Sequence, residues 1–254
     1  MTKLNSIKII LFALFFGLAI NSTEAIAKSS IYGRLDIALS SEDTSSGSYT
    51  DVKSHASRVG FKGSQTFDNG VAAIYQYEWQ TDPIDGDPTF KQRNSFVGLQ
   101  GAFGKVFLGM HDTPTKIAQG KIDLFNDLEG DIKNTFEGEN RVSNIVIYRT
   151  PNLSNFTSMV AFVPGEGSDL TGDGSADSSI NDGISYSINY EKDDLYLSIS
   201  GDKDIDKKDL TRLVSQYKIG KFQIGLMYQD TDDNVDLNNE TGYFGSLSYK
   251  SSSK

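Results

Sequence analysis

The sequence predicts an all-β protein, an antiparallel up-and-down sheet that forms a transmembrane β-barrel. Three observations predict it: side chains alternate between apolar and polar, tight turns alternate with long polar connections, and the apolar strand faces carry no charge. The composition conceals this pattern, because 37% hydrophobic residues and a net charge of −10 are typical of a water-soluble chain. In a barrel, however, half of each strand and the long loops face water, so the average composition stays hydrophilic.

Residues 1–27 have the pattern of a secretory signal peptide. Lys3 and Lys8 precede an apolar run at 9–20, and Ala25-Ile26-Ala27 matches a cleavage site. The apolar run is shorter than the roughly 20 residues that a transmembrane helix needs, which favours export over a membrane anchor. We therefore expect 1–27 to be a signal peptide and 28–254 to be the barrel.

Alternation with a period of two residues recurs along the rest of the chain. In the first example, Ile31 and Leu35 lie on one face while Arg34 and Asp36 lie on the other. The clearest segments are 31–39, 71–79, 184–190 and 222–228, and weaker ones are 57–63, 92–100, 105–111, 141–149, 156–163, 195–201, 211–218 and 242–250. They predict about twelve strands, with no helix outside 111–140.

The connections between these strands fall into two classes. Tight turns rich in Gly, Asn, Asp or Pro occur at 67–70, 101–104, 151–155, 192–194 and 218–221. Longer polar connections occur between them, at 41–54, 81–91, 111–140, 164–182, 202–210 and 230–240. Short turns at one end of a sheet and long loops at the other are typical of outer-membrane barrels.

Periodicity alone leaves a soluble β-sandwich open, because a sandwich buries the apolar face that a membrane barrel turns toward lipid. Aromatic residues near the strand ends favour the barrel, since membrane barrels carry aromatic girdles at both interfaces. Examples are Tyr77, Trp79, Tyr190, Phe222 and Tyr249. The alternative hypothesis is an exported soluble β-rich binding protein, such as an adhesin or a lectin-like domain.

The composition also excludes several functional classes. The chain has no cysteine and two histidines, which excludes thiol chemistry, disulfides and the usual zinc sites. Its acidic balance argues against nucleic acid as a partner, and neither histidine lies in a catalytic motif. We therefore expect no enzymatic activity, no catalytic residues, no cofactor and no metal site.

Several motifs, in this order and at these spacings, resemble those of the Gram-negative general porins. They are Tyr32-Gly33-Arg34-Leu35-Asp36, Ser57-Arg58-Val59-Gly60-Phe61-Lys62-Gly63, Asn69-Gly70, Arg93-Asn94-Ser95-Phe96-Val97-Gly98-Leu99 and Tyr148-Arg149-Thr150-Pro151-Asn152. The resemblance implies a homotrimeric channel in the outer-membrane lipid bilayer of a Gram-negative bacterium, passing small hydrophilic solutes and ions by diffusion. It also implies that the third long loop folds into the barrel as a constriction.

The loop at 111–140 is the longest predicted connection and is rich in carboxylates. If it folds inward, its carboxylates face basic residues of the wall, and the opposed charges set a transverse field across the pore. The predicted pore-lining residues are Arg34, Arg58, Lys62, Arg93, Lys105, Asp123, Asp127 and Glu129. Taken singly, each is equally compatible with a solvated surface charge.

Two features depart from the porin pattern. Phe107 and Met110 stand where such porins often carry basic residues, which, with the acidic net charge, weakly favours cations over anions. The chain also stops at Ser251-Ser252-Ser253-Lys254 after about twelve strands, whereas the family usually has sixteen and ends on an aromatic residue. We therefore expect the sequence to stop before the last strands, since an open sheet edge is unfavourable in lipid.

Overall fold

The computed structural model describes residues 28–85, 90–169, 173–176, 178–236 and 238–251. The predicted signal peptide at 1–27 lies outside the described residues. Within the described ranges, no helix is both long enough and apolar enough to cross a membrane.

Strands dominate the described part of the chain. They are β1 (Lys28–Arg34), β2 (Ile37–Thr44), β3 (Gly47–Ser54), β4 (Arg58–Thr66), β5 (Ala72–Gln80), β6 (Lys91–Gln92), β7 (Ser95–Gly101), β8 (Gly104–Asp112), β9 (Arg141–Arg149), β10 (Phe156–Val163), β11 (Gly183–Lys192), β12 (Leu195–Ile205), β13 (Lys208–Ile219), β14 (Phe222–Asp233) and β15 (Asn239–Tyr249). One short α-helix, α1 (Pro114–Ala118), and one 3₁₀ turn, Ile132–Asn134, lie between β8 and β9. Both fall inside 111–140, the segment where the sequence allowed a helix.

Thirteen of the described strands form one sheet, in which the strands follow one another in chain order. Its order is β1-β4-β5-β7-β8-β9-β10-β11-β12-β13-β14-β15, with β6 added beside β5 and β2–β3 forming a separate hairpin. Each pair in this order is antiparallel. The twelve strands of the path confirm the predicted all-β, up-and-down architecture. Within the described residues β1 and β15 do not pair with each other, so the barrel is open there.

The apolar strand faces point outward, as the alternation predicts. Ile31 is 85% exposed and Tyr243 is 77% exposed, whereas the residues of the opposite parity turn toward the inside of the curved sheet. Aromatic pairs lie on the outside near the short-turn end, with ring centroids 4.8 Å apart for Phe156 and Tyr190, and 4.9 Å for Phe222 and Tyr249. This is the arrangement expected of an interfacial aromatic girdle.

Three connections that the sequence predicts to be long loops are mostly strand. Segment 41–54 belongs to the hairpin β2–β3, and 230–240 leaves only 234–238 outside strands. Segment 202–210 narrows to Asp206 and Lys207, which close a tight turn with left-handed φ angles of 53° and 60°. The prediction of long loops was wrong in these segments because polar residues do not end a strand when both faces of the sheet are exposed to water.

Candidate functional site

The segment 113–140, here called the inner loop, folds back against the inside of the sheet. Thr113 caps the N-terminus of α1, its hydroxyl oxygen accepting a hydrogen bond from the Lys116 N–H at 3.2 Å. The Tyr196 hydroxyl on β12 donates to the Ala118 carbonyl oxygen at 2.8 Å, and the Thr115 N–H donates to the Ser185 hydroxyl on β11 at 3.3 Å. The inner loop is therefore fastened to the wall from its first turn.

The strongest attachment of the inner loop is on β13, and we call it the buried anchor. The guanidinium of Arg212, which is fully buried, donates to the Glu139 carboxylate at 2.7 Å and to the Glu137 carbonyl oxygen at 2.6 Å. It also donates to the Gln229 side-chain oxygen at 2.8 Å. Burial raises the pKa of the Glu139 carboxyl, and the Arg212 charge opposes that rise. The anchor thus joins the end of the inner loop to two neighbouring strands.

Apolar side chains extend the buried anchor along the wall. Ile122 and Ile132 of the inner loop pack with Val214 on β13 and Met227 on β14, and all four are buried. Gly242 on β15 leaves room for the loop, because a Cβ there would lie 2.4 Å from the Phe136 ring. A larger residue at that position would force the loop away from the sheet.

The middle of the inner loop, here called the tip, reaches across to β1 and β4. The Asp127 carboxylate accepts hydrogen bonds from Arg58 at 2.7 Å and from Arg34 at 3.3 Å. Its carbonyl oxygen lies 3.2 Å from His55 Nδ1, and its N–H donates to Asp131 at 2.8 Å. The tip therefore places a carboxylate between two arginines of the wall.

The wall is interrupted where the tip docks. Residues 35–36 separate β1 from β2, and residues 55–57 separate β3 from β4. The long hairpin from β1 to β4 is therefore interrupted at the same height in both of its arms. Ala56 has a left-handed φ of 51°, and the Arg58 Nε–H donates to the Ala56 carbonyl oxygen at 3.0 Å. This interruption turns Arg58 toward the inside, and Arg34 lies directly opposite it in the register.

Two further loop carboxylates have different surroundings. Glu129 pairs with Lys53 at 2.8 Å, and its side chain is 80% exposed. Asp123 accepts backbone hydrogen bonds within the loop, from Phe125 at 2.9 Å and from Ile132 at 3.2 Å. Burial alone would raise the pKa of the neighbouring Asp131, but the Lys133 and Asp127 N–H groups and the Lys133 ammonium hold it below its usual value.

A polar cavity of about 910 Å³ lies between the inner loop and the wall of the first strands. Arg93 lines it and pairs with Glu78 at 2.7 Å. Arg141 also lines it and pairs with Asp112 at 2.9 Å, where the inner loop begins. Arg93 and Arg141 thus pair with carboxylates of the strands, whereas Arg58 pairs with Asp127 of the inner loop.

Lys62 and Lys105 lie outside this cavity. Lys62 shares a strand face with Arg58 but lies nearer the short turns, with its ammonium 5.3 Å from the centre of the Tyr32 ring. Lys105 stands at the short-turn end of β8, opposite Arg149 of β9. Of the predicted pore-lining residues, the structure therefore brings together Arg34, Arg58, Arg93, Asp127 and Glu129, and it separates Lys62, Lys105 and Asp123 from them.

The inner surface of β8–β10 is apolar, unlike that of β4 and β5. Phe107 belongs to a buried cluster with Ile145, Ile147, Met159 and Ala161. Its ring lies 4.8 Å from that of Phe96 and 4.9 Å from that of His111. The departure from the porin pattern at Phe107 therefore corresponds to an apolar inner wall on this side, and polar groups concentrate on the other.

Sequence reasoning missed Arg212, Glu139, Arg141 and Lys53. A signal for Arg212 was present, because strand alternation places it between the outward-facing Thr211 and Leu213 and hence on the inside. Arg141 had no such signal, because an irregularity in the β8–β9 register between Val142 and Ile145 shifts the alternation at the start of β9. No sequence signal joins Arg212 to Glu139, since their contact arises only when the inner loop folds back.

Comparison with known proteins gives a consistent result. A family model described as Gram-negative porin matches residues 13–253. The major outer membrane protein P.IB of Neisseria meningitidis serogroup B is 25% identical over 217 residues, which cover 79% of this chain and 63% of that protein. P.IB of Neisseria gonorrhoeae is 24% identical over 203 residues, covering 73% and 54%. The chain thus spans between about half and 63% of the length of these two relatives.

Solved structures share the fold. The anion-selective porin from Comamonas acidovorans aligns with a TM-score of 0.68 at 21% identity, over 88% of this chain and 73% of that one. The trimer form of OmpT from Vibrio cholerae aligns with a TM-score of 0.67 at 16% identity, over 91% and 74%. At these identities the likeness establishes the architecture of the sheet.

Proposed function

The chain belongs to the Gram-negative porin family, and from this premise we propose that it forms a water-filled channel for passive diffusion of small hydrophilic solutes and ions. It is an outer-membrane protein, like the Neisseria proteins that it resembles. The channel works without catalytic residues or a cofactor, because diffusion down a gradient needs only a hydrated path of suitable width and charge.

The observation that carries the proposal is the polar cavity beside the inner loop. Asp127 faces Arg34 and Arg58, and further along the same cavity Arg93 and Arg141 face inward from the wall. Opposed charges across a narrow passage orient dipolar solutes and disfavour apolar ones. We assign the constriction to this part of the inner loop, with Glu129 and Lys53 at its rim.

Charge at the constriction supports a weak preference for cations. The cavity is lined by the carboxylates of Asp51, Asp82, Asp85, Asp112, Asp127, Glu129, Asp131 and Glu139, against the cations of Lys53, Arg58, Arg93, Lys116, Lys133 and Arg141. The similar porin from Comamonas acidovorans is named as anion-selective. In this chain, the excess of acidic residues and the apolar inner wall at Phe107 instead favour cations.

The proposed assembly is a homotrimer in the outer-membrane bilayer, reached after export with 1–27 as signal peptide. The OmpT structure described as a trimer supports this state. Lys62, Lys105 and Asp123 remain predicted lining residues of the wider pore.

An exported soluble adhesin or lectin-like protein is the less favoured alternative, because its outer surface would have to keep an apolar belt in water.

Ion selectivity tests the constriction directly. Reversal potentials are measured in planar bilayers under a KCl gradient, with protein purified from outer membranes. We expect Asp127→Asn to shift the potential toward anion preference and Arg58→Gln to shift it toward cation preference, since each removes one charge from the passage. If both variants keep the wild-type potential, these two residues do not form the constriction.

The state of the purified protein tests the channel itself. We expect an SDS-resistant, heat-modifiable oligomer in detergent extracts of outer membranes. A soluble periplasmic monomer would instead support the binding-protein alternative.

A further inference from the structure

Two cations face each other on the inside of the sheet, at the short-turn end of β8 and β9. Lys105 begins the ladder of β8, and Arg149, its register partner, ends β9. Each lies two residues from an inward-facing member of the apolar cluster, Phe107 and Ile147 respectively, so both turn inward. We call Lys105 and Arg149 the mouth pair, because they lie beside the short turn at 101–104.

No salt bridge neutralises the mouth pair among the described residues. Among the described residues, neither Lys105 nor Arg149 forms an ion pair, and Glu191, which lines the same cavity, pairs with neither of them. Like charges directly opposite each other destabilise a pair of strands. A bound anion in contact with both cations would reduce that repulsion.

The cavity around the mouth pair has the size and chemistry for a small oxyanion. It measures about 370 Å³ and is also lined by Gln100, Thr150 and Thr157. Amide and hydroxyl groups donate hydrogen bonds to oxyanions, and a guanidinium can bind two of their oxygens at once. The cavity is therefore lined by both charged and neutral hydrogen-bond donors.

We propose that the mouth pair is an anion subsite that binds phosphate or a carboxylate-bearing solute at the short-turn end of the channel. The cations near the inner loop behave differently, because Arg58 is held by Asp127 and Arg93 by Glu78. Lys105 and Arg149 instead face each other in the register, and neither forms a salt bridge with a described residue. The inference rests on the proposed channel for access to solutes, but binding itself does not require conduction.

Binding of inorganic phosphate to the purified protein in detergent micelles tests the subsite. The ³¹P NMR line of phosphate, titrated at low salt, is expected to broaden saturably with the wild-type protein. Lys105→Gln and Arg149→Gln are each expected to weaken binding by at least about tenfold, because each removes a charge-assisted hydrogen bond. Broadening should also fall with added NaCl, which screens the pair.

Three controls separate the possible outcomes. Lys221→Gln, which removes a cation beside the outward-facing Tyr249, and Lys105→Arg, which keeps the charge, should both bind like wild type. Heat-modifiable migration of every variant verifies folding. Absence of saturable broadening, or equal binding by wild type and Lys105→Gln, overturns the subsite. A protein that binds phosphate in micelles but conducts no ions overturns the proposed channel while leaving the subsite standing.

Discussion

Two of the attachments between the inner loop and the wall, the buried anchor and the tip, differ in the exposure of their side chains. At the buried anchor, Arg212 is fully enclosed and holds both Glu139 and the backbone at Glu137. At the tip, Asp127 and Arg58 are mostly buried but line a polar cavity, and Glu129, which pairs with Lys53, is 80% exposed. Both places use arginine and carboxylate, so the chemistry is the same and only the surroundings change.

The difference separates two tasks. A charge pair that is cut off from water is strongly coupled, since removing one partner leaves the other buried and unpaired. The exposed pair of Glu129 and Lys53 contributes little to stability, and the charges of Asp127 and Arg58 act on the cavity that solutes cross. We infer that the buried anchor positions the inner loop, while the tip supplies charge to the constriction.

The largest expected effect is at the buried anchor. Arg212→Gln leaves Glu139 without its cation, which costs about 3–5 kcal/mol of loop attachment. Trypsin cleavage after Lys121, measured on the folded protein in micelles, should then accelerate by more than about a hundredfold, because cleavage follows the population of the released loop. An unchanged rate would show that the anchor does not hold the loop.

An intermediate effect is expected from the apolar contacts beside the anchor. Ile122→Ala removes a side chain that is completely buried against Val214 and Met227, at a cost of about 2–5 kcal/mol. The same cleavage should accelerate by at least about tenfold. Phe125→Ala is the matched control in the same loop, since Phe125 is 56% exposed, and it should leave the rate within about twofold. Equal rates for the two variants would contradict the division between anchor and tip.

The smallest effect on attachment is expected at the rim of the tip. Glu129→Gln removes an exposed ion pair with Lys53, which also pairs with Glu42, so the loss is at most about 1 kcal/mol. Cleavage after Lys121 should stay within about fivefold of wild type, and 1 M NaCl should reduce the difference further. A rise as large as that of Arg212→Gln would mean that the tip also positions the loop.

The strand pattern was readable from the sequence because it depends on local alternation. Ile31 and Leu35 against Arg34 and Asp36 define two faces whatever the partner strand is. The same alternation located the strands of the path and the tight turns. The sequence pattern was wrong for 202–210. Its polarity suggested a long loop, but β12 continues to Ile205 and β13 begins at Lys208.

The sequence by itself determined the all-β class, the separation of each strand into an apolar and a polar face, and the acidic character of the inner loop. Only the tertiary structure decided that the apolar faces point outward, that Asp127 meets Arg34 and Arg58, that Glu139 meets Arg212, and that Lys105 faces Arg149 with neither in a salt bridge among the described residues. The physical reason is distance along the chain. Alternation and turn chemistry act between near neighbours, whereas these charges meet only after the sheet curves and the loop folds back.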